Sequence, residues 1–280
     1  MKRVAVIGAG TMGSGIAEAL AAAPEHQVLL CDLSPEYAEK GMERIAGGLR
    51  GRVERGKLAQ TDADALLTRI TIGEIDDVSE CRLVVEAIVE ELGSKRKLFE
   101  QLDELCEPDA VLATNTSSLS ITEIGCGLKH PIVGMHFFNP APVMKLVEVT
   151  AGAATPPEIV TFIKELAQAI GKTPVEVDEA PGFVVNRILI PMINEAVELV
   201  ANGTASIEDV DVAMKLGANH PMGPLALGDL IGLDVVLAIM EVIHSETGDP
   251  KYRPHPLLRK YVRAGWLGRK TGRGFHSYDH

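Results

Sequence analysis

The sequence predicts an α/β chain in two parts: a doubly wound sheet domain with an inserted helical hairpin, followed by an all-α C-terminal domain. Three observations predict it. Short apolar runs alternate with helical patterns through the first half, a glycine-rich turn joins the first run to the first helix, and strand-like runs stop at Ala180-Pro181-Gly182. A length of 280 residues makes more than one domain a fair expectation. The boundary is drawn between the sheet domain, residues 1–183, and the helical domain, residues 184–280.

Strands are expected at Val4 to Ile7, Val28 to Asp32, Ile70 to Ile72, Leu83 to Ala87, Val111 to Thr114, Ile132 to His136, Leu146 to Thr150 and Thr173 to Val177. Most are apolar without alternation, which suits strands covered on both faces of a parallel sheet. Between them, Leu98, Phe99, Leu102, Leu105 and Cys106 recur at helical spacing. Ser34-Pro35 reads as an N-cap and first helical position. Residues 35–69 hold no convincing strand and read as two helices joined around Gly56, with Arg50 to Lys57 as their basic part. Beyond Pro181, Val184 to Ala201 is apolar with helical period and Gly203 stops it. Ser206 and Asp209 resemble a capping box. Leu225 to His244 forms one helix, or two given Gly228 and Gly232, and Pro256 to Ala264 forms the last.

Composition excludes several classes of function. A net charge of −12 argues against nucleic acid or an anionic membrane as partner. Cys31, Cys81, Cys106 and Cys126 show no metal-binding spacing and read as thiols in a reducing, cytoplasmic setting; no metal is expected. The N-terminal apolar run breaks at Gly8 and Gly10, too early for a signal peptide, and no run is long enough to span a membrane.

Gly8-Ala9-Gly10-Thr11-Met12-Gly13 follows a strand and opens a helix. The glycines permit a tight turn, backbone N–H groups approach a pyrophosphate, and the helix N-terminus favours the anion. Asp32 ends the second strand, where a carboxylate accepts hydrogen bonds from ribose hydroxyls and repels a 2′-phosphate. Leu33 rather than an arginine follows it, so NAD is favoured over NADP. The sheet is therefore read as Rossmann-type.

Further motifs stand at Val84 to Glu90 (VVEAIVE), Thr114 to Ser118 (TNTSS), His136 to Pro140 (HFFNP), Lys145 to Glu148 (KLVE), Pro181 to Arg187 (PGFVVNR), His220 to Pro224 (HPMGP) and Gly268 to Phe275 (GRKTGRGF). Together they resemble the 3-hydroxyacyl-CoA dehydrogenase family, with a length and motif order similar to its bacterial 3-hydroxybutyryl-CoA dehydrogenase branch. The resemblance runs from Val4 to about Tyr278. It implies that His136 is the catalytic base, that Glu148 orients it, and that Ser117 and Asn186 hold the substrate oxygen. It implies that Glu90, Lys95, Ser117, Asn139 and Lys270 line the cofactor site. It also implies that the hairpin, through Arg50, Arg52, Arg55 and Lys57, meets the CoA nucleotide, although the family carries mostly lysines there. The expected reaction is the NAD-dependent interconversion of 3-hydroxybutyryl-CoA and acetoacetyl-CoA in fatty-acid or butyrate metabolism.

These residue types suit that chemistry. Oxidising an alcohol removes a hydride and a proton, and histidine takes the proton because its unperturbed pKa, about 6.5, lies near working pH. Plainer readings remain beside each assignment: His136 as a strand-end histidine, Ser117 as a helix cap, Asn186 as a structural bond, the arginines as a solvated helix face. His220 reads as a turn or interdomain residue, and His26, His130 and His280 as surface histidines. The rival functions are a dehydrogenase of free hydroxyacids, a non-catalytic relative, and a module of a multifunctional protein. The basic hairpin argues against the first, the intact polar set against the second, and a free-standing enzyme is simpler than the third. The apolar tail helices, Val184 to Val200 and Leu225 to Val242, are expected to pack across the two-fold interface of a homodimer.

Overall fold

The computed structural model describes residues 2–278. Eight strands form one sheet: β1 (Lys2–Ile7), β2 (His26–Cys31), β3 (Ile70–Ile72), β4 (Leu83–Glu86), β5 (Val111–Thr114), β6 (Ile132–Phe137), β7 (Leu146–Ala151) and β8 (Thr173–Asp178). Their order is β3-β2-β1-β4-β5-β6-β7-β8. The chain runs from β1 to one side and then, through β4, to the other, so the topological switch lies at the carboxyl end of β1. Each expected strand is present, but one pairing departs from a parallel sheet: β6 and β7 are antiparallel. Residues 138–145 connect them, and so short a link has no room for the crossover that parallel neighbours require. β8 pairs only with β7 and is largely exposed, as an edge strand is.

Helices α1 (Thr11–Ala21), α2 (Pro35–Glu54), α3 (Gln60–Leu67), α4 (Leu92–Leu105), α5 (Ile121–Ile124) and α6 (Pro157–Ala169) belong with the sheet. In α2 the buried residues are Ala38, Gly41, Ile45 and Leu49, one face at three- and four-residue spacing. Ile16, Leu20, Leu30, Val85, Met135, Phe137, Val147 and Ile163 join them in the main core. Ser34 stands at the N-cap of α2 but makes no side-chain cap bond; Pro35 begins the helix. The hairpin turns at Gly56, whose φ of +63 suits glycine.

The contacts divide the chain into two compact units between Glu179 and Ala180, a few residues before the boundary drawn from sequence. The second unit holds α7 (Val185–Ala201), α8 (Ile207–Gly217), α9 (Pro224–Ile231), α10 (Leu233–Thr247) and α11 (Pro256–Arg263). Ile190, Ile193, Val197, Leu225, Val236, Met240, Ile243 and Leu258 form its core. The stretch from Leu225 to His244 is broken at Gly232, whose φ of +106 is incompatible with a continuous helix. Ser206 caps α8 by accepting from the Asp209 amide at 3.1 Å, while its hydroxyl donates to the Asp209 carboxylate. Asp209 thus reaches the cap's hydroxyl, not its backbone as a full capping box requires.

Two histidines read as surface residues are buried. His26 lies beneath the end of α1, its Nδ1 2.9 Å from the Leu20 carbonyl oxygen. His130 is held at Nδ1 by Asp103 (2.7 Å) and at Nε2 by the Glu107 carbonyl (2.9 Å). His26 opens β2 and His130 lies just before β6, where a ring that satisfies backbone groups replaces water. His280 lies outside the described residues. Cys31, Cys81 and Cys106 are buried and Cys126 is exposed, all unpaired. Among the described residues no group of three or more side chains is arranged to hold a metal, and no helix is long and apolar enough to cross a membrane.

Candidate active site

The glycines of the turn between β1 and α1 do different work. A Cβ on Gly8 would lie 2.5 Å from the Ala87 carbonyl oxygen, and one on Gly13 would lie 1.6 Å from that of Gly8. These two are demanded by the fold. A Cβ on Gly10 would meet nothing within 4 Å. The fold has no need of glycine there; a group approaching from outside does. Gly10 is also the N-cap of α1 and supplies no side-chain acceptor, which leaves the first-turn N–H groups of Thr11, Met12 and Gly13 to an external anion. Asp32 follows β2 directly. Its carboxylate accepts from the Ala9 amide and the Leu33 amide, each at 2.6 Å, and retains lone pairs for a diol. Leu33 is 93% exposed and offers no cation to a 2′-phosphate. An open Gly10, an uncapped helix start and a carboxylate at the second strand end fit NAD.

On the other side of the switch, β4 leads into α4 through a polar network with a buried centre. Glu86 is fully buried at the end of β4 and accepts from Lys95 Nζ (2.6 Å), Thr114 Oγ1 (2.6 Å) and the Ile88 amide (2.7 Å). Lys95, itself 1% exposed, also pairs with Glu90 at 3.2 Å. Glu90 in turn accepts from Thr116 Oγ1 (2.7 Å), the Ser117 amide (2.7 Å) and Ser117 Oγ (3.1 Å). Burial acts to raise the Glu90 carboxyl, but the Lys95 ammonium and the Thr116 and Ser117 donors outweigh it and hold the group below the usual carboxylate range. Lys95, read from sequence as a cofactor-lining residue, thus has its ammonium committed inside the protein. Ser117 is fixed by a carboxylate that a lysine fixes.

His136 and Glu148 are brought together by the antiparallel pairing. The register sets them directly opposite each other, and opposed residues share a face. Both are buried, and His136 Nδ1 stands 2.8 Å from Glu148 Oε2. A neutral imidazole that donates Nδ1–H to a carboxylate carries its lone pair on Nε2. The Phe138 ring packs on the imidazole with centroids 4.4 Å apart. Asn115 Oδ1 accepts from the Phe137 amide at 2.8 Å and ties β6 to the end of β5, where Ser117 follows. Asn139 is exposed on the loop after β6. Farther along that loop, Lys172 donates to the Ala141 (2.6 Å) and Met144 (2.8 Å) carbonyl oxygens.

Arg50, Arg55 and Lys57 are exposed on and after α2. Arg52 differs from them: its guanidinium pairs with the buried Glu18 of α1 and serves to seat the hairpin. In the second unit, Asn186 is buried in the first turn of α7, and Lys270 pairs with Asp234 at 2.6 Å. Sequence reasoning missed Glu86, Thr114 and Thr116 although the motifs that contain them were singled out, because a buried carboxylate at a strand end looks the same in sequence as an exposed one. It also missed Ser14 and Arg44, whose common target is a main-chain carbonyl.

The 3-hydroxyacyl-CoA dehydrogenase NAD-binding domain matches residues 3–180, and the 3-hydroxyacyl-CoA dehydrogenase C-terminal domain matches residues 182–278. A 3-hydroxybutyryl-CoA dehydrogenase of Clostridioides difficile is 53% identical over 99% of this chain and 99% of its own. The crystal structure of (S)-3-hydroxybutyryl-CoA dehydrogenase from Ralstonia eutropha superposes with a TM-score of 0.94 at 44% identity, covering 100% of both chains. A longer relative, 3-hydroxyadipyl-CoA dehydrogenase of Escherichia coli, is 44% identical over 99% of this chain and 59% of its own length.

Proposed function

Because the chain belongs to the 3-hydroxyacyl-CoA dehydrogenase family and is therefore an NAD-dependent oxidoreductase, we propose that it interconverts (S)-3-hydroxybutyryl-CoA and acetoacetyl-CoA. The observation that carries the mechanism is the buried His136–Glu148 pair at the end of β6. Bound NAD supplies the hydride acceptor. His136 Nε2 takes the proton of the 3-hydroxyl, and Glu148 stabilises the imidazolium that results. In the reducing direction the same imidazolium returns its proton to the substrate oxygen. Ser117 and Asn186 are assigned to that oxygen. Glu90 holds the Ser117 hydroxyl in place, and Lys95 acts through Glu90. Gly10, Thr11 and Met12 present N–H groups to the pyrophosphate, Asp32 takes the ribose, and Asn139 and Lys270 complete the cofactor's surroundings.

Arg50, Arg55 and Lys57 are assigned to the phosphates of CoA, since exposed cations concentrated on one hairpin attract a polyanion even on an acidic protein. Arg52 is assigned with them, and its pairing with Glu18 also seats the hairpin that presents these cations. The protein is proposed to work in the cytoplasm as a homodimer. The reading is tested by following NADH oxidation with acetoacetyl-CoA, with free acetoacetate and with long-chain 3-ketoacyl-CoA. Acetoacetyl-CoA is expected to be preferred over both, and the preference over acetoacetate is expected to shrink with added salt. Equal turnover of the free acid sinks the CoA assignment, and equal turnover of the long-chain thioester sinks the short-chain one.

A further inference from the structure

The inserted hairpin reaches the nucleotide turn through α2. Gly41 of α2 packs against it so closely that a Cβ would lie 2.6 Å from Ala9 Cβ and 2.9 Å from Ala9 O. Arg44 follows three residues later, on the same face of the helix. Its Nη1 donates to Ala9 O at 2.8 Å and to Ser14 Oγ at 3.1 Å, and Ser14 Oγ donates to Ala9 O at 2.8 Å. The preceding amide, Ala9 N, is held by Asp32. Ala9 is thereby fixed through its N–H on one side and its C=O on the other.

That carbonyl belongs to the peptide that joins Ala9 to Gly10. A trans peptide is planar, and its N–H points opposite to its C=O. Two donors gripping Ala9 O therefore set the direction of Gly10 N–H, away from α2. A cationic donor on the carbonyl also polarises the amide and makes its N–H a stronger donor. Gly10 is the glycine of the turn whose Cβ would meet open space.

We propose that Arg44 is a positioning residue for the cofactor: from the hairpin it orients and polarises the Ala9–Gly10 peptide so that Gly10 N–H is aimed at the pyrophosphate. The proposal rests on the NAD reading of the turn and not on the identity of the acyl substrate. It gives the hairpin a second task beside CoA, since the helix that carries Arg50 also sets a donor for the dinucleotide.

The test uses Arg44→Met, which keeps much of the stem and removes the guanidinium, and Arg44→Lys, which keeps one charged donor. Arg44 is exposed, so folding is expected to survive, and a thermal melt checks it. Dissociation constants are measured without acyl substrate for NADH, for ADP-ribose, which contains the pyrophosphate, and for AMP, which does not. In the methionine variant the constants for NADH and ADP-ribose are expected to rise about fivefold, the size of one net hydrogen bond, and that for AMP by less than about twofold. The lysine variant is expected to recover part of the loss. In turnover, the loss should fall on KM for NADH rather than on kcat at saturating NADH. An unchanged NADH constant overturns the proposal, and so does an equal loss for AMP, which would mean that only a general field was removed. If the unaltered protein binds NADH but leaves acetoacetyl-CoA unreduced, the substrate reading fails while the Arg44 comparison still decides this one.

Discussion

At the residue scale the proposed reaction rests on one proton acceptor, His136. His136→Ala is expected to lower kcat on the order of 10²–10⁴-fold while the NADH dissociation constant stays within about threefold. Wild-type turnover in that variant would remove His136 from the mechanism. Glu148→Gln should fall between the two, because an amide oxygen still accepts from Nδ1 but no longer stabilises an imidazolium; kcat for NADH oxidation with acetoacetyl-CoA checks it. Both residues were legible in the sequence as members of motifs. Their contact was not, since nothing in HFFNP or KLVE states that the strands run antiparallel with these two positions in register. Arg44 was not legible at all. An exposed arginine on a helix rich in charges of both signs looks like solvated surface until its acceptor, a main-chain carbonyl 35 positions away, is in place.

At the scale of elements, the strands could be read because each is a short apolar run between breakers, and burial on both faces leaves that pattern in the sequence. The link between β4 and α4 could not. Its Glu86, Lys95 and Glu90 read as ordinary charges, and motif resemblance set two of them beside the cofactor. Folding makes them an acid–base–acid chain that starts from the buried Glu86 and Lys95 and runs through Glu90 to Ser117. This element gives the protein an acid-side sensitivity. The folded-state pKa of Glu90 is depressed, so its stabilising contribution is fully present above its unfolded value, near about pH 4.3, and is lost as pH falls through the lower folded value. Glu90→Gln should therefore melt at a lower temperature than the unaltered protein near neutral pH. The gap should close as pH falls below about 4. Melting curves from pH 7 to pH 3 check this, and a gap constant across that range would show that the Glu90 charge does not support the fold.

At the scale of the whole molecule, the sequence marked a change from alternating strands and helices to helices alone, and the two compact units follow that change. What it could not apportion was how many of the tail's apolar residues the second unit buries by itself. The structure divides them. Ile190, Ile193, Val197, Val236, Met240 and Ile243 are inside, whereas Ile188 is 68% exposed and Leu216 81% exposed, with Val212, Leu230 and Val235 also largely open. Single exposed apolar residues are unremarkable, but several on the helices of one unit mark a surface that gains by being covered. The proposed homodimer covers it, and a stable two-fold contact repeats each such residue on both copies. Light scattering at micromolar concentration should give twice the chain's 30.0 kDa. Ile188→Glu with Leu230→Glu sets charges on that surface and should shift the mass toward one chain, with far-ultraviolet circular dichroism unchanged because neither side chain belongs to the core. A single-chain mass for the unaltered protein rejects the dimer. A dimer that survives both charges moves the interface elsewhere and leaves these helices without the partner proposed for them.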